Sequence, residues 1–135
     1  SFKIGNITLL DETYNSSPEA VIAALKSLVD KPGRHFVVLG MMLELGDKSV
    51  YFHRMVVEEA VEIGIDGLVI VGENEESQAM ADAAKSLEQL ALVSTPEQAL
   101  LPLKEWLLPG DFLLLKASNS INLHRLIPLL QDNLF

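Results

Sequence analysis

Residues 9–28 read LLDETYNSSPEAVIAALKSL, and their order decides the fold. Leu9 and Leu10 close an apolar run. Residues 11–15 then crowd two carboxylates, a phenol and an amide into a short turn, and Ser16-Ser17-Pro18-Glu19 opens a helix. Ser17 suits the N-cap, Pro18 the first helical position, and Glu12 and Glu19 place negative charge near a positive helix terminus. From position 21 the apolar residues recur at 21, 22, 24, 25, 28 and 29, the rhythm of a helix with one buried face. A buried strand, a polar turn and an amphipathic helix make the opening unit of an α/β fold.

Outward from this stretch the pattern repeats. Upstream, FKI-GN-ITLL reads as a small hairpin whose second strand enters the sheet, leaving the first as an antiparallel edge. Downstream, Lys31-Pro32-Gly33 stops the helix. Short apolar strands are expected at 35–39, 67–72, 91–93 and 112–116, and helices at about 50–63, 73–87, 95–107 and 121–131. Thr95 and Pro96 mark the fourth helix's entrance, and Pro128 is expected either to kink the last helix or to lie in a separate turn. Strands alternating with helices through short links imply a mostly parallel sheet covered on both faces, a three-layer α/β sandwich with an antiparallel edge hairpin. No repeat or linker interrupts it, so residues 1–135 read as one domain.

The composition excludes several functions. Ten basic and nineteen acidic residues give a net charge of -9, which disfavours nucleic acid and anionic membranes as partners. There is no cysteine for a disulfide or thiolate site, and the histidines at 35, 53 and 124 lack metal-ligand spacing. No apolar run nears the roughly 20 residues needed to span a bilayer, and no signal-peptide pattern opens the chain, so the cytoplasm is the expected compartment. Neither G-x-x-x-x-G-K-[ST] nor G-x-G-x-x-G occurs, so the usual grips on a nucleotide are missing. The chain starts at Ser1 without methionine, and a fragment of a longer polypeptide is expected.

In such folds ligands collect beyond the carboxyl ends of the strands. Those ends read DETYN at 11–15, GMMLELG at 40–46, GENEES at 72–77 and KASNS at 116–120. The first, second and fourth carry polar groups that a plain connection does not need. Glu12 reads either as a ligand contact or as a solvated charge at a helix start, Tyr14 as a contact or a packing ring, and Asn15 as a turn-forming amide. Lys116 suits a carboxylate or phosphate partner, and a lysine snorkelling to water fits equally well. His53 either points into the cleft or caps a helix turn. Residue chemistry by itself names no reaction.

Three of these strand ends resemble a known family. LLDETYNSSPEAVIAALKSL resembles the L-x-D-D-x-Y-N-A-N-P-x-S-M-x-A-A-L segment that opens the C-terminal domain of Mur ligases of the MurF type. VVLGMMLELGDKSVYFHRMVVEEAVEIGID, at 37–66, resembles their V-L-G-D-M-x-E-L-G with a following histidine and A-x-x-x-G-I-D, and LLLKASNS resembles V-K-G-S-R. The landmarks occur in the family's order along essentially the whole chain. The resemblance implies a Rossmann-like domain of a three-domain, ADP-forming ligase of cell-wall peptidoglycan synthesis. Its absent N-terminal and central domains would hold the UDP moiety and the ATP with Mg2+.

The implied reaction adds D-Ala-D-Ala to a UDP-MurNAc-peptide, with no activity expected of these residues alone. By the same resemblance Asp11, Glu12, Tyr14 and Asn15 would face the nucleotide, and Lys116, Ser118 and Asn119 the incoming dipeptide. Glu44 and His53 would shape the cleft, with no catalytic residue and no metal ligand on this domain. The sequence departs from the family pattern at Glu12 for aspartate, Met41 for aspartate, Ala117 and Asn119 for glycine and arginine, and His124 for glutamate. Another Mur-type or folylpolyglutamate-type ligase domain, or a non-catalytic interaction module with an acidic surface, fits the same composition.

Overall fold

A computed structural model describes residues 2–12, 17–117 and 122–134. Its centre is a six-stranded sheet ordered β1-β2-β6-β3-β4-β5. The strands are β1 (Phe2–Ile4), β2 (Ile7–Glu12), β3 (His35–Leu39), β4 (Gly67–Val71), β5 (Gln89–Val93) and β6 (Phe112–Lys116). β1 runs antiparallel to β2 and every other pairing is parallel, as the hairpin and the alternation predict.

Among the described residues five α-helices cover it: α1 (Pro18–Ser27), α2 (Ser49–Glu62), α3 (Glu75–Ala83), α4 (Leu100–Trp106) and α5 (Leu126–Asn133). Side chains alternate across a strand, so each central strand feeds two cores. Phe36, Val38, Leu113 and Leu115 pack with Leu103 of α4 and Leu126 and Leu130 of α5. Val37, Leu39, Phe112 and Leu114 pack on the other face with Leu25 of α1, Val56 and Val57 of α2 and Met80 of α3. Each fully buried leucine contributes about 2 kcal/mol, and β6 supplies three, Leu113, Leu114 and Leu115.

The helix ends follow local chemistry. The Ser17 hydroxyl accepts the Ala20 N–H at 3.2 Å with Pro18 at the first position, and Thr95 caps the turn after β5 with Gln98 reciprocating. Several expected element bounds are corrected. The segments entering α4 and α5 are 3-10 turns, Pro96–Ala99 and Leu123–Arg125, and the regular helix begins only afterwards. In both cases the third helical residue is a proline, Pro102 or Pro128. Proline offers no N–H to the carbonyl four residues back, so the longer single helix is not built and each proline sits in a first turn that needs no such bond. The third helix ends at Ala83 instead of reaching 87, and β5 starts at Gln89 because Gln89 pairs with Gly67.

At the amino ends of the strands Arg34 closes the sheet. Its Nε and Nη2 donate to Asp111 Oδ1 and Oδ2 at 3.0 and 2.8 Å, and Nη2 also donates to the Trp106 carbonyl at 2.8 Å. The guanidinium lies 4.9 Å from the Phe36 ring, which stacks on Trp106. Asp111 takes a third bond, from the Leu108 N–H at 2.7 Å. The hydrogen bonds to Asp111 raise the Arg34 pKa above its usual value, with burial opposing.

Candidate functional site

The connections fix where a ligand can sit. β2, β3 and β4 send their following helices α1, α2 and α3 to one face, whereas β5 and β6 are followed by α4 and α5 on the other. β6 lies between β2 and β3. The helix leaving β6 and those leaving its two neighbours therefore diverge to opposite faces, a topological switch point of the kind where α/β folds form a ligand crevice beyond the strand tips. Lys116 is that tip.

Lys116 is 2% exposed, and its Nζ stands 3.4 Å from Glu12 Oε1. The two residues are register partners across β2 and β6, and Leu39 of β3 is the partner on the other side. Alternation carries Lys116 and Glu12 to the α1–α3 side, with Leu114 and Leu10. This excludes a snorkelling lysine, whose ammonium would reach water. Glu12, 35% exposed, borders the solvent side of the pair. An ammonium has three donors, and among the described residues Glu12 is its one ion-pair partner.

The other expected residues divide. Asp11 and Glu12 were expected in the turn beyond the strand. Both instead belong to β2, pairing with Leu115 and Lys116, and as consecutive strand residues they point to opposite faces. Tyr14, Asn15, Ser118 and Asn119 lie outside the described residues. Glu44 is exposed on the loop after β3, with a left-handed φ of 62°.

His53 is fully buried in α2 and does not line the crevice itself. Its Nε2 accepts the Met42 N–H at 2.9 Å, and its Nδ1 lies 2.7 Å from the Ser49 carbonyl. Burial lowers its pKa, with the Ser49 carbonyl and Glu76 pulling the other way. Sequence reading missed Met42 and Ser49 as partners. They act through backbone groups, which leave no mark in the side-chain alphabet, and only the four-residue spacing of Ser49 and His53 on one helix face hints at the second.

A further concavity of about 560 Å3 lies beyond β4 and β5, lined by Glu73, Asn74, Glu75, Gln78 and Ser94 among others. Its charged lining is carboxylate, which does not suit a phosphate. Among the described residues no three His, Asp or Glu side chains gather as metal ligands, and no helix is long and apolar enough to cross a membrane.

Residues 2–119 match the family described as Mur ligase, glutamate ligase domain. The chain is similar to the UDP-N-acetylmuramoyl-tripeptide--D-alanyl-D-alanine ligase of Synechocystis sp., 39% identical over 130 residues that cover 95% of this chain and 28% of that protein. The enzyme of the same name from Mycobacterium leprae is 33% identical over 142 residues, covering 92% and 28%. Among solved structures, MurF ligase from Thermotoga maritima in complex with ADP superposes with a TM-score of 0.84 at 28% identity, covering 98% of this chain and 30% of that one. MurF from Acinetobacter baumannii gives 0.81 at 25% identity, covering 97% and 29%. The chain thus spans under a third of the length of these relatives.

Proposed function

The chain belongs to the Mur ligase family, as its glutamate ligase domain, and from that premise we propose that it is the C-terminal domain of a longer ATP-dependent ligase of peptidoglycan precursor synthesis. The full protein joins D-Ala-D-Ala to a UDP-MurNAc-tripeptide in the cytoplasm. The tripeptide carboxylate takes the terminal phosphoryl group of ATP, releasing ADP. The dipeptide amine then attacks the acyl carbon, phosphate leaves, and the amine gives up a proton. Closure of this domain over the centre keeps water from the acyl phosphate.

The observation that carries this reading is the buried Lys116, at the crevice tip with Glu12 as its charged partner at 3.4 Å among the described residues. Such a cation can receive the carboxylate of the incoming dipeptide at little reorganisation cost. Glu12, on the same side, can accept from the ribose hydroxyls of the nucleotide. Asp11, Tyr14 and Asn15 are assigned to the nucleotide by family resemblance, and Ser118 and Asn119 to the dipeptide. ATP and Mg2+ are assigned to the preceding central domain. The described residues offer no ligand cluster for the metal, so no step on this domain is routed through it.

The test is turnover by the full-length protein, following phosphate release and ligated product with D-Ala-D-Ala, single amino acids and glutamate as amine donors. D-Ala-D-Ala is expected to be preferred, with Lys116→Ala raising its KM. Preference for a single amino acid or glutamate would assign the chain to a sister ligase. Absence of any ATP-dependent ligation would leave the interaction-module reading.

A further inference from the structure

The loop that leaves β3 is pinned at three successive residues. The Gly40 N–H donates to the Lys116 carbonyl at 2.9 Å, and Asn74 Nδ2, from the N-cap residue of α3, donates to Met41 Sδ at 3.2 Å. The Met42 N–H donates to His53 Nε2 at 2.9 Å. The loop is thereby tied to β6, to the start of α3 and to α2. Immediately beyond, the chain turns through two left-handed residues, Glu44 at φ 62° and Gly46 at φ 65°. A non-glycine residue there costs about 1–2 kcal/mol and persists when its surroundings fix it.

His53 is the deepest of these pins. A ring that accepts through Nε2 and donates through Nδ1 to the Ser49 carbonyl is neutral and a single tautomer. Protonation would place a donor against the Met42 N–H and break the pin. Ser49 and Met42 meet the ring nitrogens, and Glu76 of α3 acts on the ring through its charge. A packing residue alone would not need two buried polar atoms, which are costly unless both are matched.

We infer that His53 is a positioning residue: as the neutral Nδ1–H tautomer it latches residues 40–45 to α2 and so holds Glu44 at the rim of the crevice that Lys116 terminates. The use of that rim by the amine substrate rests on the ligase reading above. The latch itself does not.

The test uses the full-length protein with His53→Asn and His53→Gln. Asparagine retains a donor near Nδ1 but falls short of Met42, whereas glutamine carries a carbonyl oxygen toward the Met42 N–H. In His53→Asn, amide exchange over residues 41–45 is expected to quicken about tenfold, the cost of one unmatched buried donor. The KM for the amine substrate rises by a similar factor, and His53→Gln restores both. The surface variant Glu44→Val, whose β-branched side chain is disfavoured at φ 62° and so loosens the same loop without touching the core, raises KM in the same direction even if His53→Asn fails to fold.

Unchanged exchange in a folded His53→Asn, or faster exchange with KM unmoved, overturns the inference. So does glutamine performing no better than asparagine, or unchanged KM in Glu44→Val. If the full-length wild-type protein ligates nothing, the ligase reading fails, and the latch is judged on the exchange measurement alone.

Discussion

Lys116 Nζ stands 3.4 Å from Glu12 Oε1, across the carboxyl tips of two neighbouring parallel strands. The pair joins a residue assigned by resemblance to the nucleotide with one assigned to the dipeptide. A buried charge without its partner is expensive, whereas an apolar replacement of the charge itself is not. Lys116→Met is therefore expected to match wild-type stability within about 1 kcal/mol, and Glu12→Leu to lose about 2 kcal/mol by leaving the ammonium unpaired. Urea unfolding of both variants checks this, and equal losses would show that the ammonium has another partner.

The amino ends of the strands should behave in the opposite way, with large effects on stability and none on substrate use. Asp111 accepts two bonds from Arg34 and one from the Leu108 N–H while nearly fully buried. Asp111→Ala is expected to cost about 3–5 kcal/mol by stranding these donors. A fall in Tm of roughly 10–20 °C follows for a domain of this size. In the full protein at a temperature where the variant is folded, KM values stay at wild type, because the pair lies at the far end of the sheet from Lys116.

Stability should also depend on pH through His53. Its folded pKa lies below the ordinary value of about 6.5, so the unfolded chain takes up the proton first as pH falls. The contribution is fully present above about pH 6.5 and is lost as pH drops toward the folded value, with a slope of at most about 1.4 kcal/mol per unit. Denaturant midpoints at pH 7.5 and 5 should differ more for wild type than for His53→Gln. Equal differences would remove His53 from the titration.

Two glycines with nearly the same backbone angle separate strain from collision. Gly33 (φ 82°) and Gly64 (φ 84°) both occupy the left-handed region, but a Cβ on Gly33 would meet the Gly110 carbonyl oxygen at 2.0 Å, whereas none of the protein lies within 4 Å of one on Gly64. Gly64→Ala is expected to cost about 1 kcal/mol for conformation alone. Gly33→Ala should cost at least about 3 kcal/mol, because the clashing atom is backbone that must shift with the Asp111 turn. Thermal melts of the two variants compare them directly.

Much of the fold can be read along the chain because its causes are local. The apolar residues at 21, 24, 25 and 28 are the ones α1 and its C-cap bury, and Ser17-Pro18 and Thr95-Pro96 cap as their chemistry requires. The lengths of the last two helices were misread because Pro102 and Pro128 act on carbonyls a turn earlier, beyond what an apolar rhythm registers. The candidate site was legible only in part. Lys116 is named by its place after FLLL, but whether it reaches water or stays buried depends on what β2 and β3 bring alongside.

The amino-acid order alone determined the alternation of elements, the antiparallel edge and the polar strand tips, since periodicity, capping and turn chemistry act over a few residues. Only the tertiary structure decided that β6 inserts between β2 and β3, which pairs Lys116 with Glu12 across 104 positions of sequence. It likewise decided that His53 turns inward to hold the Met42 amide. Both depend on which strands and helices become neighbours, a choice made by burying two whole faces of a sheet at once.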